Sequence, residues 1–582
     1  MNDKIYSFSP FGYEGTLVNI QTDLRDGIPS IDIVGIADSQ VKSTREIVKG
    51  ALINSNFQIP QKRILISASP ADIKKDNSLD LAFATSIQSE IDNFMDEPCL
   101  VLGELELSGN IRPVKASYAA TEIAKKFNIN NILCCEENAK EIKEISGIKI
   151  AIAENLQEAV EKLKDKNNFI SINNNNSNKN ENSVEFNNDI EPIEETKLKG
   201  HYETLRALEI AAAGKHNIIL VGEPGSGKTY IPQTVIPAIT PKLTENENTE
   251  QNKIKSLTGF PIKNNNAPFR MPHQSASIEG MIGGGINCKP GEITLAHNGT
   301  LFLDEAAEFR TSVLQTLRVP LETNKVTLSR AGRSTVFPAN FQLAISTNPC
   351  PCGCLGNEDK ICLCSANAVE AYWKKFSGPL LDRIEIKNYV KKDENDERIL
   401  SIDEMRSHVA NAIKIQRDRG IYNTDLNTEQ INNLCKLDNQ SAKYLEHFSF
   451  ENGLSSREVY NILRTSLTIA NMDNREKIEL NDLKESCKLN KKFNPWNLLE
   501  KVNLYTDTIK EYPSKVIELL SENNKTNTSA LTLAIKENLK DLNENQKIEL
   551  LTNIIKEIQT DLKQSNQQTN EIEITQINNK KR

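Results

Sequence analysis

Hydrophobic and polar residues in the first part of the chain recur with both strand and helix periods. Alternating or short apolar runs are typical of strands, and apolar residues three and four apart are typical of helices. The pattern predicts strands over residues 30–34, 64–67 and 132–135, and helices over residues 81–87 and 119–127. Alternating elements of this kind predict a compact α/β domain over residues 1–166.

A second α/β domain is predicted over residues 198–390. Its strands are predicted from apolar runs at residues 218–221, 299–303 and 341–346. Two further runs, residues 325–329 and 334–337, are separated by Ala331-Gly332-Arg333 and predict a β-hairpin. The run at residues 218–221 is apolar throughout, which is typical of a parallel strand that is buried on both faces.

Helical spacing alone continues over residues 391–491. Helices are predicted over residues 399–417, 428–437, 441–448, 456–470 and 480–489. A run of helices without intervening strands predicts a small helical lid domain next to the second α/β domain.

Two segments have a composition that is unlike that of the predicted domains. Residues 167–197 are dominated by Asn, Ser, Glu and Lys and are predicted to be a flexible linker. Residues 492–582 are predicted to be a C-terminal extension, with apolar residues at helical spacing between residues 548 and 562. This helix would pack either locally or against a partner, and the Gln/Asn-rich tail from residue 564 is predicted to be disordered.

The overall composition narrows the class of protein. The chain has 582 residues, too many for one core, so about three or four domains are expected. Its formal net charge of −9 does not point to nucleic-acid binding, but it leaves room for a local basic groove. The chain lacks an apolar run of about 18 residues, and its amino terminus has no apolar signal core. We therefore expect a cytoplasmic protein without a membrane partner.

The glycine-rich segment after the strand at residues 218–221 carries the clearest chemistry. It reads GEPGSGKT and matches the phosphate-binding pattern G-x-x-x-x-G-K-[ST]. The predicted ATP-binding residues are Gly222, Glu223, Pro224, Gly225, Ser226, Gly227, Lys228 and Thr229. Lys228 would reach the β- and γ-phosphates, and the Thr229 hydroxyl would be a Mg²⁺ ligand. Strand, spacing and the Lys-Thr pair together argue against a chance glycine-rich turn.

A second acidic motif follows the apolar strand at residues 299–303. Asp304 and Glu305 end this strand, where paired carboxylates are costly unless they have a role. Asp304 is predicted to hold Mg²⁺ through water, and Glu305 is predicted to polarise the attacking water. The alternative is a solvated strand end. Together the two motifs predict an ATPase that uses ATP and Mg²⁺.

Five of the 11 cysteines crowd between residues 350 and 364. An odd number of cysteines in a chain without a signal peptide argues for free thiols or metal rather than for a disulfide framework. Cys350, Cys352, Cys362 and Cys364 form two C-x-C pairs, and four thiolates in two close pairs can bind Zn²⁺ tetrahedrally. The sequence leaves two interpretations open, a structural Zn²⁺ site and reduced thiols in a loop.

Several motifs resemble those of one protein family. The segments IPSIDIVGIADSQVKSTREIVKG, KLKGHYETLRALEIAAAGKHNIILVGEPGSGKT and SGPLLDR are similar to ComM/YifB-type, magnesium-chelatase-like AAA+ ATPases. The resemblance covers roughly residues 1–491 and implies an N-terminal S5/Lon-protease-like α/β domain, an AAA+ P-loop core and a small α-helical lid. Lon-type peptidases use a Ser-Lys dyad. Ser78 lies near the nucleophile's position, but Tyr118 stands where the Lys is expected, so the domain is expected to be non-catalytic.

The resemblance also implies roles for three polar residues. Asn348, after the strand at residues 341–346, resembles sensor 1, which orients the lytic water. Arg383, in SGPLLDR, resembles an arginine finger that reaches the nucleotide of a neighbouring subunit, and a local ion pair with Asp382 is the alternative. Arg457 stands at the position of sensor 2, in the first turn of a helix. A cation there is explained better by a nucleotide phosphate than by helix stability.

What the family does sets the functional expectation. The resemblance implies a ring, expected to be a homohexamer, that uses ATP hydrolysis to move single-stranded or branched DNA. In that family the activity is helicase and branch migration, linked to natural transformation or recombination. Arg330 and Arg333 of the predicted hairpin are candidates to face a phosphate backbone, and solvated or subunit-interface charges are the alternative. A protein-remodelling or Lon-like ATPase and a magnesium-chelatase-type motor subunit are the alternative functions.

Overall fold

The computed structural model describes residues 4–490 with short gaps. Within this span, the residues outside the description are 37, 71–78, 173–183, 188–197, 261, 263–264, 286, 331–332, 356–361, 363, 394–395, 397 and 399. Ser78, two residues of the predicted hairpin turn and the predicted C-terminal extension therefore lie outside the described residues.

The N-terminal domain is built on one eight-stranded mixed sheet. Its elements are β1 (Ile5–Ser9), β2 (Thr16–Arg25), β3 (Ser30–Val34), α1 (Asp38–Asn54), β4 (Arg63–Ser69), α2 (Asp80–Asp92), β5 (Cys99–Val101), β6 (Glu104–Leu105), β7 (Ile111–Arg112), α3 (Ser117–Lys126), β8 (Asn131–Cys134), α4 (Glu136–Ile142), β9 (Lys149–Ile152), α5 (Leu156–Lys164) and β10 (Ile170–Ser171). The sheet order is β10-β9-β8-β5-β1-β2-β4-β3. β2 pairs antiparallel with β1 and β4, whereas β3 pairs in parallel with β4. The similarity of this domain to the Lon fold remains a prediction.

The second domain has a five-stranded parallel sheet at its centre. Its elements are α6 (Tyr202–Gly214), β11 (Ile218–Gly222), α7 (Tyr230–Ile239), α8 (Glu245–Thr258), β12 (Phe269–Arg270), α9 (Ile278–Ile282), β13 (Gly283–Gly284), β14 (Lys289–Pro290), α10 (Glu292–Leu295), β15 (Thr300–Leu303), α11 (Thr311–Thr316), α12 (Pro320–Thr323), β16 (Lys325–Arg330), β17 (Arg333–Pro338), β18 (Gln342–Thr347), α13 (Ala366–Lys374), α14 (Gly378–Leu381) and β19 (Ile386–Val390).

The order of the parallel sheet, β12-β15-β18-β11-β19, determines where a ligand can bind. β11 lies inside the sheet between β18 and β19, and every residue of β11 is buried. Burial on both faces explains why this strand is apolar throughout. In open parallel sheets, ligands bind at the carboxyl ends of the strands. The ends of β11, β15 and β18 meet at one edge of this sheet.

The helical lid follows the parallel sheet in the chain. Its helices are α15 (Ile402–Arg419), α16 (Thr428–Leu434), α17 (Asn439–Glu451), α18 (Ser456–Met472) and α19 (Leu480–Leu489). The Ser455 hydroxyl caps α18 by accepting a hydrogen bond from the Glu458 amide. Among the described helices, none is long and apolar enough to cross a membrane.

Most predicted elements are confirmed, with ends shifted by a few residues. Helix α19 has the predicted bounds, whereas α16 ends three residues before the predicted end at residue 437. The apolar pattern did not predict β1, β2 or β19. Parts of the predicted linker adopt structure, since Ile170–Ser171 forms β10 and Phe186 forms an isolated bridge with Pro241.

The N-terminal domain packs against the second domain through the β1–β2 turn. The Tyr13 amide donates a hydrogen bond of 2.9 Å to the Thr335 hydroxyl of β17, and the Tyr13 ring packs edge-on against Phe337 with centroids 5.8 Å apart. The Lys253 ammonium of α8 lies 4.0 Å from the centre of the same ring. Arg333 lies over the ring of Phe11, 5.4 Å away. The β16–β17 hairpin is therefore held by residues of the N-terminal domain.

Candidate nucleotide-binding and hydrolysis site

The glycine-rich loop forms the short connection between β11 and α7. Gly225 and Gly227 have φ angles of 83° and 85°, a region that side-chain-bearing residues rarely adopt. Lys228 is 6% exposed, and its ammonium donates a hydrogen bond of 3.0 Å to the Glu223 carbonyl. Burial lowers the pKa of Lys228, and the nearby carboxylates of Glu305 and Asp304 oppose this shift. The loop thus has the strand, turn and buried lysine that phosphate binding requires.

Asp304 and Thr229 meet at the carboxyl edge of the sheet. The Thr229 hydroxyl donates a hydrogen bond of 2.9 Å to the Asp304 carboxylate. The Ser346 hydroxyl, from the end of β18, donates to the same carboxylate. Oxygen ligands of this type are those that Mg²⁺ prefers in phosphoryl-transfer sites. The two residues that the sequence suggests as Mg²⁺ ligands are therefore neighbours.

Glu305 has an unusual backbone conformation and a side-chain partner outside its own strand. Its φ of 48° lies in the left-handed region, and its amide donates a hydrogen bond of 3.1 Å to the Ser346 hydroxyl. Its exposed carboxylate accepts a hydrogen bond of 2.8 Å from the Gln274 side-chain amide. Non-glycine residues in this region cluster at functional sites. The backbone conformation and the hydrogen bond with Gln274 together set the position of the Glu305 carboxylate in this structure.

Asn348 follows β18 and lies between the acidic motif and the cysteines in the chain. Its side-chain oxygen is buried, and it has no hydrogen-bond partner among the described residues. Buried polar atoms are normally paired, so an unpaired one calls for an explanation. An amide oxygen left free beside a phosphate site is suited to orienting a water.

Arg383 and Arg457 share one carboxylate. Arg383, just after α14, donates a hydrogen bond of 2.7 Å to Glu322 of α12. Arg457, in the first turn of α18, lies 3.8 Å from the other oxygen of Glu322. The hydrogen bond from Arg383 lowers the pKa of Glu322. The alternative partner for Arg383 considered from the sequence was Asp382, and the ion pair that the structure contains is with Glu322.

Four cysteines form a compact cluster beyond Asn348. The sulfur of Cys350 lies 3.3 Å from that of Cys352 and 3.6 Å from that of Cys362. The four sulfurs of Cys350, Cys352, Cys362 and Cys364 lie within 4.8 Å of one another. Four sulfurs bound to tetrahedral Zn²⁺ lie about 3.8 Å apart, so this set fits the ion. A hydrogen bond with Cys362 lowers the pKa of the Cys350 thiol to about 5.

The sequence interpretation missed Gln274 and Ser346, but a signal for Gln274 exists. β12 pairs in parallel with β15, with Arg270 opposite Leu301. Gln274 and Glu305 each lie four residues beyond this pair, so they leave the sheet at the same edge. The neighbouring His273 does not take part in this contact, because its ring hydrogen-bonds to the Ser275 hydroxyl at 2.8 Å. Ser346 is the next to last residue of an apolar strand and has no comparable signal.

The N-terminal domain offers no described Ser-Lys pair at the expected position. Ser78 lies outside the described residues. Tyr118 lies in α3, is 3% exposed, and its amide donates a hydrogen bond of 3.2 Å to the Ser256 hydroxyl of α8. A buried phenol cannot replace the amine of a Ser-Lys dyad. The burial of Tyr118 and its contact with α8 therefore favour a packing role for this residue.

Comparison with family models covers three successive parts of the chain. Residues 195–398 match the model described as magnesium chelatase, subunit ChlI. Residues 20–138 match subunit ChlI of Mg-chelatase, and residues 400–490 match the C-terminal part of magnesium chelatase subunit ChlI. The parallel sheet, the phosphate loop and the acidic motif agree with these matches. Fold and site together define an AAA+-type ATPase of the magnesium-chelatase kind.

Several curated proteins are similar over most of the chain. The competence protein ComM of Haemophilus influenzae is 33% identical over 490 residues, which are 81% of this chain and 94% of that protein. The uncharacterised protein YifB of Escherichia coli is 32% identical over 499 residues, which are 83% of this chain and 96% of that protein. An uncharacterised protein of Mycobacterium tuberculosis is 32% identical over 394 residues, 66% of this chain and 76% of that protein. The chain belongs to the ComM/YifB family of magnesium-chelatase-like AAA+ proteins.

Proposed function

We propose that this protein is a Mg²⁺-dependent ATPase that works as a ring-shaped DNA motor. Its activity would be that of a helicase or branch-migration enzyme in natural transformation or recombination. One observation carries the ATPase part of the proposal. Lys228, Thr229, Asp304 and Glu305 meet at the carboxyl edge of one parallel sheet, as phosphoryl transfer requires.

The residues at this edge have separate roles in the proposed reaction. The backbone amides of residues 222–229 and the Lys228 ammonium bind the phosphates of ATP. Thr229 and Asp304 would hold Mg²⁺, which neutralises charge on the β- and γ-phosphate oxygens when bound. Glu305 orients and polarises the attacking water, and the unpaired oxygen of Asn348 holds that water in line.

Assembly into a homohexameric ring is part of the same proposal. Arg383 and Arg457 share Glu322, so the two cations lie close together on the subunit. An arginine that stabilises transition-state charge can be supplied by a neighbouring molecule. We infer that Arg383 and Arg457 leave Glu322 and reach the ATP of the next subunit when the ring forms.

DNA is the proposed substrate of the motor. Arg330 ends β16 and is exposed, and it pairs in register with Arg333 of β17. Arg330 is free to contact a phosphate backbone, which needs no base sequence, whereas Arg333 is half-buried over the Phe11 ring. The name of the Haemophilus influenzae relative, a competence protein, supports a role in natural transformation.

The cysteine cluster is proposed to bind a structural Zn²⁺. Four protein ligands would leave no open position on the ion, so the metal would take no part in the chemistry. The separations of the four sulfurs support this assignment over free thiols in a loop. Metal analysis of protein purified without chelators should give about one Zn²⁺ per chain.

Stimulation of ATP hydrolysis tests the proposed substrate. Purified protein should hydrolyse ATP faster when single-stranded or branched DNA is added, and an unfolded protein such as casein should have no effect. Stimulation by casein without stimulation by DNA would favour a protein-remodelling or Lon-like ATPase. Stimulation by neither would favour a magnesium-chelatase-type motor subunit, which acts with other subunits. The Glu305→Gln variant, assayed in parallel, gives the background rate.

A further inference from the structure

The turn formed by the first cysteine pair lies directly against the phosphate loop. Gly353 follows Cys352 with a φ of 79°, and its amide donates a hydrogen bond of 3.0 Å to the Cys350 carbonyl. A Cβ atom added at Gly353 would lie 2.6 Å from Cδ and 2.8 Å from Cγ of Pro224. Only a residue without a side chain allows this approach. The backbone of the cysteine turn thus forms a wall of the phosphate loop at Pro224.

The same turn is continuous with Asn348. The Pro349 carbonyl, between Asn348 and Cys350, accepts a hydrogen bond of 2.9 Å from the Trp373 indole. On the other side of Asn348, the Thr347 hydroxyl shares a hydrogen bond of 2.9 Å with the Tyr372 hydroxyl. Both neighbours of Asn348 are therefore bonded to α13, and the cysteine turn begins two residues after it.

A third contact ties the cysteine segment to β19, which pairs with the strand before the phosphate loop. The Leu355 carbonyl accepts a hydrogen bond of 3.4 Å from the Tyr389 hydroxyl of β19. Tyr389 pairs with Val221, the residue before the loop. Leu355 itself is buried, with 1% of its surface exposed. The segment from Cys350 to Leu355 therefore touches the phosphate loop at Pro224 and also contacts β19, the neighbour of the strand that carries the loop.

The four cysteines would add a further restraint to this turn when they hold an ion. Cys350 is buried, whereas Cys352 is exposed on the turn. Cys362 and Cys364 come from the next described part of the chain, so one ion would tie two segments together. An ion held by four sulfurs would fix the positions of Cys350 and Cys352, and with them Gly353 and its contact with Pro224.

We propose that metal bound by the four cysteines acts as a staple that positions Pro224 and Asn348 for ATP hydrolysis. This inference rests on the proposed ATPase function and on the Zn²⁺ site, and it gives the metal a role in the neighbouring nucleotide site. The metal contacts no reacting atom. Cys350 and Cys352 are positioning residues, since they act through Gly353 and Asn348.

Serine substitutions in one loop provide a matched test. Cys352→Ser removes an exposed ligand, and Cys354→Ser removes a thiol of the same loop that is outside the cluster. Zinc content, affinity for a fluorescent ATP analogue and ATP turnover are measured for both full-length variants. Cys352→Ser should lose zinc and lower kcat by about tenfold to a hundredfold, the cost of a small displacement of positioned groups. Cys354→Ser should match the wild type, and circular dichroism confirms that both variants fold.

A second variant separates the contact from the metal. Gly353→Ala keeps all four thiols but adds a Cβ that overlaps the Pro224 ring. It should retain zinc and yet weaken binding of the ATP analogue. Because Pro224→Ala removes the overlapped ring, the double variant should recover part of that loss, which is the coupling expected of residues in contact.

These outcomes test the positioning role of the metal separately from the proposed ATPase function. If Cys352→Ser loses zinc but keeps wild-type nucleotide affinity and kcat, the metal is present and the staple is wrong. If the wild type binds no zinc, the staple is also wrong. If the wild type binds zinc but hydrolyses no ATP, the proposed ATPase function fails. In that case, comparing the ATP-analogue affinity of wild type and Cys352→Ser still shows whether loss of zinc affects the nucleotide site.

Discussion

The Gln274 amide holds the Glu305 carboxylate through a hydrogen bond of 2.8 Å. Gln274 lies between β12 and α9, outside the strand that ends in the acidic motif. The segment that follows, from α9 to β14, is the glycine-rich part of this domain. If the proposed DNA or a neighbouring subunit contacts that segment, Gln274 would transmit the contact to Glu305, the carboxylate proposed to polarise the attacking water. We therefore predict that Gln274 restrains Glu305 until such a contact forms.

The first prediction concerns the variant Gln274→Ala. Without the amide, Glu305 is free to approach the water, so ATP turnover in the absence of DNA should rise. A tenfold increase corresponds to about 1.4 kcal/mol, within the range of a hydrogen bond to a charged group. The stimulation by DNA should shrink in proportion. Steady-state ATPase rates with and without single-stranded DNA measure both quantities.

The neighbouring His273→Ala variant is the control for this experiment. His273 hydrogen-bonds to Ser275 and, in the described part of the chain, forms no hydrogen bond or ion pair with Glu305, so the rates of this variant should stay at wild-type values. If Gln274→Ala lowers the basal rate, Gln274 orients Glu305 for catalysis and does not restrain it.

The second prediction separates nucleotide binding from hydrolysis. Lys228→Ala removes the buried ammonium and should weaken ATP binding by about a hundredfold, the loss of roughly 3 kcal/mol expected for a charge-assisted contact. Glu305→Gln keeps the shape of the side chain and should bind ATP normally while kcat falls by about 10² to 10⁴. Fluorescence titration with an ATP analogue and single-turnover hydrolysis distinguish the two. Normal turnover by Glu305→Gln would remove Glu305 from the proposed reaction.

The third prediction uses mixtures of two inactive variants. Arg383→Ala should lower kcat by about 10³ or more, the size of effect that arginine fingers have. Mixing it with Lys228→Ala should restore part of the activity. In such a mixture, some interfaces combine an intact phosphate loop of one subunit with the intact Arg383 of the other.

Arg63→Ala is a suitable control for the mixtures. Arg63 forms an exposed ion pair with Asp32 in the N-terminal domain, so its loss should leave the ATPase rate unchanged. Full activity of Arg383→Ala alone would show that the site is complete within one chain. The same mixture made with Arg457→Ala tests whether the second arginine acts from the same side.

The fourth prediction is a pH dependence of stability that originates at Glu385. Its carboxyl is buried and accepts hydrogen bonds from the Asn217 amide at 2.9 Å and from the Thr424 hydroxyl at 3.5 Å. Burial raises the pKa of Glu385 to about 7, although the charge of Arg464 opposes the shift. The folded state therefore holds this proton more tightly than the unfolded state. The contribution of Glu385 to stability is full below the unfolded pKa, near 4.5, and is lost as the pH rises through 7.

Urea unfolding of the wild type and Glu385→Gln between pH 5 and pH 8 measures this contribution. As the pH rises over this range, the unfolding free energy of the wild type should fall by up to about 3 kcal/mol relative to that of Glu385→Gln. Glu385→Asp keeps a carboxyl and should keep part of the pH dependence. Parallel curves for wild type and Glu385→Gln would contradict the prediction.

The nucleotide site could be predicted from the sequence because its residues are local to strands and turns. The phosphate loop needs glycines, a lysine and a threonine at fixed spacing, and the acidic motif must end an apolar strand. Each of these two features lies within a single short segment of the sequence. Their meeting through Thr229 and Asp304 follows from the parallel sheet, since β11 and β15 end at the same edge.

Residues that act through tertiary contacts could not be predicted in this way. Ser346 is recognisable only once β18 is known to lie between β15 and β11. Glu322 lies on a four-residue helix, and its role depends on Arg383 and Arg457 from distant parts of the chain. Strands such as β19 were missed because pairing with β11 stabilises them more than their own sequence pattern does.

The last prediction concerns the contact between Tyr13 and the β16–β17 hairpin. The Tyr13 ring packs edge-on against the buried Phe337 and lies beneath the ammonium of Lys253, whereas its amide bonds to Thr335. Tyr13→Ala removes the ring contacts but keeps the amide bond, and it should weaken this interface by about 1–3 kcal/mol. Amide hydrogen exchange in β16, β17 and the β1–β2 turn should accelerate, while exchange in β11 and β18 should not. Tyr13→Phe keeps the ring and should exchange like the wild type. Unchanged exchange in Tyr13→Ala would show that the amide bond and the surrounding backbone hold the hairpin without the ring.

The same variant also tests whether the hairpin takes part in the proposed motor. If DNA moves this hairpin during ATP hydrolysis, Tyr13→Ala should also change the stimulation of the ATPase by DNA, because the N-terminal domain would no longer restrain the hairpin.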